Sequence, residues 1–230
     1  MIETGETVCV ALSGGKDSIT LLYILDYLRR LTSLKFNIIA AHIRTDPYDT
    51  SMIRQFCIQM GIDYYESDLE KREAIPSNEK ICSICSRLKR GALSKLLSRL
   101  GIRKAAFGHH SDDAAETLFM NIIESKKLGS FSPKVELPDR NMIIIRPLIY
   151  LPEKRIRKIH KHAFLPLLKY DCPFAKNNNR SSYKKMLEDF RKDLGIDDFS
   201  SRVVGALENI DHSNMWENVS NDNQKGPNIV

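Results

Sequence analysis

Runs of β-branched and other apolar residues alternate with helical apolar patterns through the first two thirds of the chain. Strands are predicted at 7–12, 36–43, 62–66, 104–108 and 142–146. Helices are predicted directly after the first strand, at 49–60, 85–100, 113–123 and 152–162, and again near 181–194 and 199–210. Strand-helix alternation at this spacing is typical of a parallel sheet covered by helices on both faces. We therefore expect an α/β fold, a twisted parallel sheet with a helical C-terminal part.

The pattern changes twice toward the C-terminus. We predict an α/β domain over residues 1–165 and a helical part over 166–210 that contains Cys172. Residues 211–230 are rich in Asn, Ser and Asp with little periodicity, which predicts a disordered tail. Ligands of open parallel sheets bind beyond the carboxyl ends of the strands. The loops at 13–18 and 108–113, each directly after a strand, are therefore where chemistry is expected.

Charge is distributed unevenly along the chain. The 230 residues contain 35 Lys and Arg against 29 Asp and Glu, for a formal net charge of +6. Before residue 193 the chain carries 33 basic and 22 acidic side chains. This excess of positive charge favours binding to polyanions such as nucleic acid, nucleotides or membrane surfaces. Hydrophobic residues make up 42% of the chain, which allows a buried core and excludes wholesale disorder.

The cellular location of the protein can be predicted from the residues before the first strand and from the number and positions of the cysteines. No apolar run approaches the roughly 18 residues of a membrane-spanning helix. The N-terminus has neither a basic region nor an apolar run before the first strand, which argues against a secretory signal. Five cysteines is an odd number, and Cys9 and Cys57 stand in apolar runs typical of buried thiols. We expect no disulfide framework and a cytoplasmic protein.

A loop of small and charged residues follows the first strand and opens a helix. Its members are Ser13, Gly14, Gly15, Lys16, Asp17 and Ser18. Two glycines let the backbone approach an anion, and the helix start adds N–H donors and a positive dipole end. The serines and the lysine add donors for phosphate, and the aspartate could hold a divalent cation. A plain strand-to-helix turn is the alternative, although it requires neither the lysine nor the serines.

The spacing of this hexapeptide differs from that of the common nucleotide P-loop, which has Ser or Thr directly after the lysine, and from the dinucleotide fingerprint. It resembles the pyrophosphate loop (PP loop) of the ATP-pyrophosphatase superfamily. The resemblance implies an enzyme that cleaves ATP to AMP and pyrophosphate while it adenylates a carbonyl oxygen. It does not indicate the substrate.

The second candidate loop, Gly108–Asp113, also follows a strand and precedes a helix. Asp113 and Glu116 have the spacing of a capping box, which would give both acids a structural role. That role would leave Asp112 and the two histidines of the loop unexplained. The adjacent aspartates could instead place a magnesium ion or orient a nucleotide.

Cys82 and Cys85 stand at the start of a predicted helix, and Cys172 follows far along the chain. The helix N-terminus favours thiolates, as do eight basic residues with no acid between positions 80 and 104. The alternatives are a redox disulfide, an iron–sulfur cluster on three cysteines with one open iron, a structural zinc site completed by His109 or His110, and a pair of ordinary surface thiols.

Three segments together resemble the tRNA 2-thiocytidine synthetase family: the run from Cys82 to Gly91, the Gly108–Asp113 loop, and Arg146–Leu148. With the PP loop, the similarity extends from Thr7 to Arg191. Members of that family build a 4Fe-4S cluster on three cysteines and replace a pyrimidine carbonyl oxygen by sulfur. The Asp-Cys-Pro-Phe sequence around Cys172 is closer to related 2-thiouridine synthetases.

The resemblance implies a role for each matching position. Residues 13–18 would bind the ATP phosphates, and Asp112 and Asp113 would serve the nucleotide, the metal or the target base. Lys89 would stand near the open iron. The implied cofactors are ATP, Mg²⁺ and a 4Fe-4S cluster, with Cys82, Cys85 and Cys172 as its ligands. The implied partners are tRNA and a sulfur donor, either a cysteine desulfurase or free sulfide. No binding to a membrane is implied, and whether the protein forms a homodimer is left open.

The resulting hypothesis is a tRNA sulfurtransferase that thiolates the C2 carbonyl of a pyrimidine, cytidine 32 of the anticodon loop, at the expense of ATP. The alternatives are a 2-thiouridine-forming thiolase, a lysidine-type ligase or amidotransferase of the same superfamily, and a zinc-bearing RNA-binding protein with a vestigial nucleotide site. Two basic groups could form a phosphate track for tRNA or merely solvated faces. They are Lys154, Arg155, Arg157, Lys158 and Lys161, and Lys176, Arg180, Lys184 and Lys185.

Overall fold

The computed structural model describes residues 1–45, 48–69, 81–168, 180–211 and 213. This part of the chain contains a six-stranded sheet and seven helices. The strands are β1 (Thr7–Leu12), β2 (Asn37–Arg44), β3 (Asp63–Asp68), β4 (Lys104–Ala106), β5 (Lys134–Leu137) and β6 (Met142–Ile145). The helices are α1 (Lys16–Leu31), α2 (Ser51–Gln59), α3 (Ile81–Arg99), α4 (Ser111–Ser125), α5 (Glu153–His162), α6 (Arg180–Asp193) and α7 (Phe199–Glu208).

The sheet has the strand order β3-β2-β1-β4-β6-β5. β1 pairs in parallel with β2 on one side and β4 on the other, so that Val8 lies opposite both Ile38 and Lys104. The chain order therefore reverses at β1, and a crevice opens between the carboxyl ends of β1 and β4. This confirms the predicted α/β class and brings the loops at 13–18 and 108–113 next to each other.

β5 is the one strand of the described sheet that the sequence analysis missed. It pairs antiparallel with β6 at the sheet edge, with Lys134 opposite Ile145. Its four residues alternate between exposed and half-buried, so it lacks the continuous apolar run by which the parallel strands were found. Four alternating residues are too few to predict a strand from the sequence, because pairing with β6 provides most of the stabilisation of such a strand.

The core lies on both faces of the sheet, because alternate residues of a strand point to opposite sides. Val8 and Val10 pack into one cluster with residues of α1, α2 and α5. Cys9 points to the other face, into a cluster with Leu93 and Leu97 of α3. Cys9 and Cys57 are fully buried, as their apolar surroundings predicted. Burial raises the pKa of Cys9 to about 12 and that of Cys57 to about 11.

The C-terminal helices pack against the α/β part through α4. Ala114 of α4 and Val204 of α7 share a small buried cluster with Ile149. The predicted helices at 181–194 and 199–210 are confirmed within a few residues at each end. In the described ranges no helix is long and apolar enough to cross a membrane. Most of the predicted tail, residues 212 and 214–230, lies outside the described part.

Candidate active site

The PP loop links β1 to α1, which begins at Lys16. Ser18 closes the loop, because its Oγ accepts the Ser13 N–H at 3.1 Å and donates to the Gly15 carbonyl at 3.0 Å. Gly15 is the N-cap residue, and no side chain caps the helix there. The first-turn N–H groups and the positive end of the helix dipole therefore face the loop, where an anion would bind.

Gly14 is required by both its conformation and its surroundings. Its φ is +82°, and a Cβ at this position would lie 2.6 Å from Cδ2 of Leu168. The Leu168 N–H donates to the Gly14 carbonyl at 3.0 Å. The chain that follows α5 thus returns to the PP loop. Residues 169–179, which include Cys172, come next in the sequence and lie outside the described part.

The second loop contacts the PP loop through Gly108. A Cβ on Gly108 would lie 2.9 Å from the carbonyl carbon of Asp17 and 2.9 Å from the nitrogen of Ser18. Both are backbone atoms of the first turn of α1, so they cannot yield without displacing the helix. The lack of a side chain at this position therefore lets the two loops close against each other.

His110 lies between the aspartates of the two loops. Its buried ring places Nε2 3.8 Å from Oδ1 of Asp17 and 3.4 Å from Oδ2 of Asp113. The His110 N–H donates to the Asp113 carboxylate at 3.0 Å, and the ring Nδ1 accepts the Asp113 N–H at 3.4 Å. These reciprocal bonds cap α4. The predicted capping box of Asp113 and Glu116 is therefore wrong, because α4 begins two residues earlier, at Ser111.

Arg180, the first residue of α6, forms ion pairs with Asp113 and Glu116, the two carboxylates of the predicted capping box. Its Nη2 donates to Oδ1 of Asp113 at 2.5 Å and its Nε donates to Oε2 of Glu116 at 2.6 Å. Burial raises the pKa of Glu116 although the charge of Arg180 opposes it. The guanidinium thus ties α6 to α4 across the second loop, although the Arg180 side chain is still 37% exposed.

Asp112 connects the second loop to α5. Its Oδ2 accepts the N–H of Glu153 at 2.7 Å, at the first residue of that helix. The Asp112 side chain is 34% exposed, so part of the carboxylate stays open to the crevice. Asp112 and Asp113 therefore both make structural contacts at the site, and a further role toward nucleotide, metal or base stays a prediction for each.

Glu153 is the site residue that the sequence analysis missed. Its carboxylate receives Lys16 at 2.7 Å, Lys184 at 2.9 Å and Arg157 at 3.0 Å. Burial acts to raise the pKa of Glu153, but the hydrogen bonds and charges of Lys16 and Lys184 outweigh it and hold the pKa well below its usual range. The PP-loop lysine, which also lies 2.8 Å from Asp17, is thus kept between two carboxylates.

Glu153→Gln is expected to lower the free energy of unfolding at pH 7 by about 2 kcal/mol, because it removes the anion shared by three cations. A carboxylate whose pKa is depressed on folding stabilises the protein above its unfolded pKa of 4.5 and loses that contribution as the pH falls below it. The difference between variant and parent should therefore shrink at roughly pH 3. Urea denaturation at both pH values measures it.

Glu136→Gln on β5 is the control, since that carboxylate is 58% exposed. Its effect should stay within about 0.5 kcal/mol at either pH. An equal destabilisation by Glu153→Gln at both pH values would contradict the shared-anion interpretation.

His109 of the second loop is partly buried and contacts the buried side chain of Arg146. Arg146 Nε donates to Nδ1 of His109 at 3.3 Å, and its guanidinium lies over the Phe131 ring at 4.7 Å. The His109 ring stacks on Phe107 with a centroid distance of 5.9 Å. Burial lowers the pKa of His109 to about 4, so the imidazole is neutral at pH 7. Its Nδ1 lone pair is already used, which does not favour it as a zinc ligand.

His42 is a second site residue that the sequence analysis did not single out. Its ring Nδ1 donates to the Leu12 carbonyl at 2.7 Å, directly before the PP loop, and Nε2 accepts the Tyr48 hydroxyl at 2.8 Å. Burial lowers the pKa of His42 against the opposing effect of the Leu12 bond, and the charge of Lys89 lowers it further. Lys89 of α3, which the resemblance placed near the open iron, is half-buried, and that role stays a prediction.

Cys82 and Cys85 lie in the first turns of α3, where the sequence predicted them. Cys82 is exposed and Cys85 is partly buried. α3 lies between β3 and β4 in the chain, and these strands are parallel to β1, so α3 runs antiparallel to them. Its N-terminal turn therefore lies at the carboxyl edge of the sheet, where the PP loop also lies. Within the described ranges, no group of three or more His, Cys, Asp or Glu is assembled to hold a metal ion. Cys172 lies outside these ranges.

Comparison with known proteins agrees with this geometry. Residues 3–170 match the model of a PP-loop domain family. The tRNA-cytidine(32) 2-sulfurtransferase of Pseudomonas syringae is 35% identical over 223 residues, which cover 94% of this chain and 80% of the relative. The enzyme of the same name from Pseudomonas fluorescens is 35% identical over 199 residues, covering 84% and 73%.

Among solved structures, the U34-tRNA thiolase of Methanococcus maripaludis, determined with its 4Fe-4S cluster, superposes with a TM-score of 0.73. It is 24% identical in sequence, and the alignment covers 90% of this chain and 72% of the thiolase. At this identity the likeness supports the fold.

The match over most of the chain defines the class: the protein belongs to the PP-loop family. Within that family it belongs with the tRNA-cytidine(32) 2-sulfurtransferases, which are transferases. The resemblance drawn from the PP loop, the cysteine pair and the second loop is therefore confirmed.

Proposed function

We propose that this protein is an ATP-dependent tRNA thiolase that adenylates the C2 carbonyl of cytidine 32 in the anticodon loop and replaces the oxygen by sulfur. The observation that carries the proposal is the junction at Gly108, where the second loop rests on the first turn of α1. The helix with Cys82 and Cys85 begins at the same edge of the sheet. The names of the curated relatives support cytidine as the target base.

The PP loop would bind the phosphates of ATP. The hydroxyls of Ser13 and Ser18, the first N–H groups of α1 and the Lys16 ammonium supply the donors. Lys16 would exchange its contact with Glu153 for phosphate oxygens. The C2 carbonyl oxygen then attacks the α-phosphorus, the bond to pyrophosphate breaks, and the base becomes an O-adenylate. Donors already in place stabilise the charge that develops on pyrophosphate.

Asp17 is the residue proposed to hold Mg²⁺. Magnesium in nucleotide sites is commonly bound by one or two carboxylates together with substrate phosphates and waters. A single partly exposed carboxylate beside the PP loop fits that donor set, and a preformed cage of protein ligands is not needed. Asp112 and Asp113 would help to orient the nucleotide or the base from the adjoining loop.

Cys82, Cys85 and Cys172 are the residues proposed to hold the 4Fe-4S cluster. Cys82 and Cys85 are three residues apart on a helix and therefore share a face, which suits two ligands of one metal group. The described residues on either side of 169–179, Leu168 and Arg180, contact the PP loop and the second loop. These three thiolates would hold the cluster, and the chemistry that it would supply is sulfur kept anionic at neutral pH.

The second half of the reaction removes AMP. Sulfide adds to C2 of the adenylated base, the C–O bond breaks, and AMP leaves with the original oxygen. Lys89, half-buried on α3, would attract the anionic sulfur toward the crevice. The sulfide would come from a cysteine desulfurase or from free sulfide, and tRNA as the substrate agrees with the predicted cytoplasmic location.

The test is a reaction of the anaerobically reconstituted protein with unmodified tRNA, Mg-ATP and sulfide. We expect 2-thiocytidine in the digested tRNA by mass spectrometry, together with AMP and pyrophosphate in equal amounts. Lys16→Ala should abolish both products, because it removes the charge that binds the polyphosphate, while leaving the iron content unchanged.

The same assay separates the alternatives. Thiouridine in place of thiocytidine would indicate the 2-thiouridine-forming enzyme. A base that gains nitrogen but no sulfur would indicate the lysidine-type or amidotransferase chemistry. Bound zinc with no AMP formed in the presence of tRNA would indicate an RNA-binding protein and would overturn the proposal.

A further inference from the structure

A groove outside the PP loop lies between α5 and α6, with α4 and the start of α7 as its floor. It encloses about 440 Å³. Six basic side chains line it, and they are Lys154, Arg157, Lys158, Lys161, Lys184 and Arg191. The lining also includes Glu153, whose carboxylate holds the PP-loop lysine, so the groove begins where the nucleotide site ends.

The ion pairs of the groove divide its cations into two groups. Arg157 and Lys184 are paired with Glu153, and Lys154 lies 4.0 Å from Asp197. Lys158, Lys161 and Arg191 have no carboxylate within ion-pair distance in the described part of the chain. The basic group on α5 that the sequence analysis left open is thus only partly neutralised by the protein itself.

The unpaired cations are arranged to meet one extended anion. Lys158 and Lys161 are three residues apart, so they lie on one face of α5, opposite the fully buried Ile156. Arg191 approaches from α6 on the opposite wall. Two lining carboxylates, Asp112 and Glu188, have no Lys or Arg within ion-pair distance among the described residues, and both oppose anion binding. Like-signed charges in a concave surface raise the local concentration of counter-ions.

We propose that this groove binds the sugar-phosphate backbone of the RNA substrate, with Lys158, Lys161 and Arg191 as its phosphate contacts. The inference rests on the proposed function, because it requires an RNA whose target base reaches the PP loop. The continuity of the groove with Lys16 through Glu153 favours the same RNA over a separate ligand. RNA affinity is set largely by such phosphate contacts, and each one adds to the dependence of binding on salt.

The test is the binding of an unmodified tRNA transcript by the full chain, measured over a range of salt concentrations. The double variant Lys158→Gln and Lys161→Gln is expected to bind about 10- to 100-fold more weakly and to reduce the slope of log affinity against log salt by about 1 to 2. Glu188→Gln should have the opposite effect and bind more tightly. ATP affinity and iron content should not change in any of these variants.

Arg99→Gln is the matched control. Arg99 lines a second basic groove, of about 260 Å³, between α3 and the end of β3. Arg99→Gln removes one positive charge where the double variant removes two, and this loss in the second groove should leave both the affinity and the slope unaltered. An unchanged slope in the double variant, or a loss that Arg99→Gln reproduces, would overturn the groove as the RNA site. A parent protein that binds no tRNA would instead contradict the proposed function itself.

Discussion

Gly108→Ala is expected to reduce kcat/KM for ATP-dependent AMP formation by at least about 100-fold, because a displacement of about 1 Å in a preorganised site has an effect of that size. The added Cβ would meet the backbone of Asp17 and Ser18 at 2.9 Å, a distance at which either the second loop or the start of α1 must move. Both carry groups proposed to bind ATP. Steady-state kinetics and the affinity for ATP measure the effect.

A loss of activity through simple unfolding can be distinguished by thermal denaturation. Overpacking of this kind costs about 1 to 3 kcal/mol, which a folded variant can tolerate while its site is distorted. Gly205→Ala on α7 is the control, since a Cβ there meets nothing within 4 Å. That variant should keep full activity and gain about 0.5 to 1 kcal/mol of stability. Normal ATP affinity in Gly108→Ala would show that the two loops do not close on each other.

The residues of the two loops could be predicted from the sequence because their signals are local. The apolar run of β1, two glycines and the charged start of α1 occupy twelve consecutive positions, 7–18, and each type of residue has its own physical reason to be there. The parallel sheet followed from the alternation of such runs with helices. The contact at Gly108 then follows from the pairing of β1 with β4.

The partners of those residues could not be predicted, because they come from distant parts of the chain. Glu153 carries no local signal of its contact with Lys16, and one acidic residue at the start of a helix is ordinary. Asp113 and Glu116 had a sound local interpretation as a cap, but Arg180 takes both carboxylates and His110 provides the cap instead. At the start of α4, contacts with a residue distant in the sequence therefore determine what these two carboxylates bind, and the local capping pattern does not.

Cys82→Ala is expected to lower the iron content after anaerobic reconstitution from about four per chain to near zero. Thiolation of tRNA should be lost with it. The reason is that Cys82 is an exposed thiol at the start of α3, three residues before Cys85 and on the same face of the helix. ATP binding should persist, because the PP loop is built from β1 and α1 and none of its described bonds involves α3. Iron analysis, the visible spectrum and ATP titration measure these quantities.

Cys57→Ala is the matched control, because it removes a thiol that cannot act as a ligand. Cys57 is fully buried, and burial raises its pKa to about 11, so the sulfur stays protonated at neutral pH. This variant should keep its iron and its thiolation and lose about 1 kcal/mol of stability. Equal iron in parent and Cys82→Ala would remove Cys82 from the ligand set. Loss of ATP binding together with iron would contradict the separation of the nucleotide site from the cysteine helix, on which the two-step reaction depends.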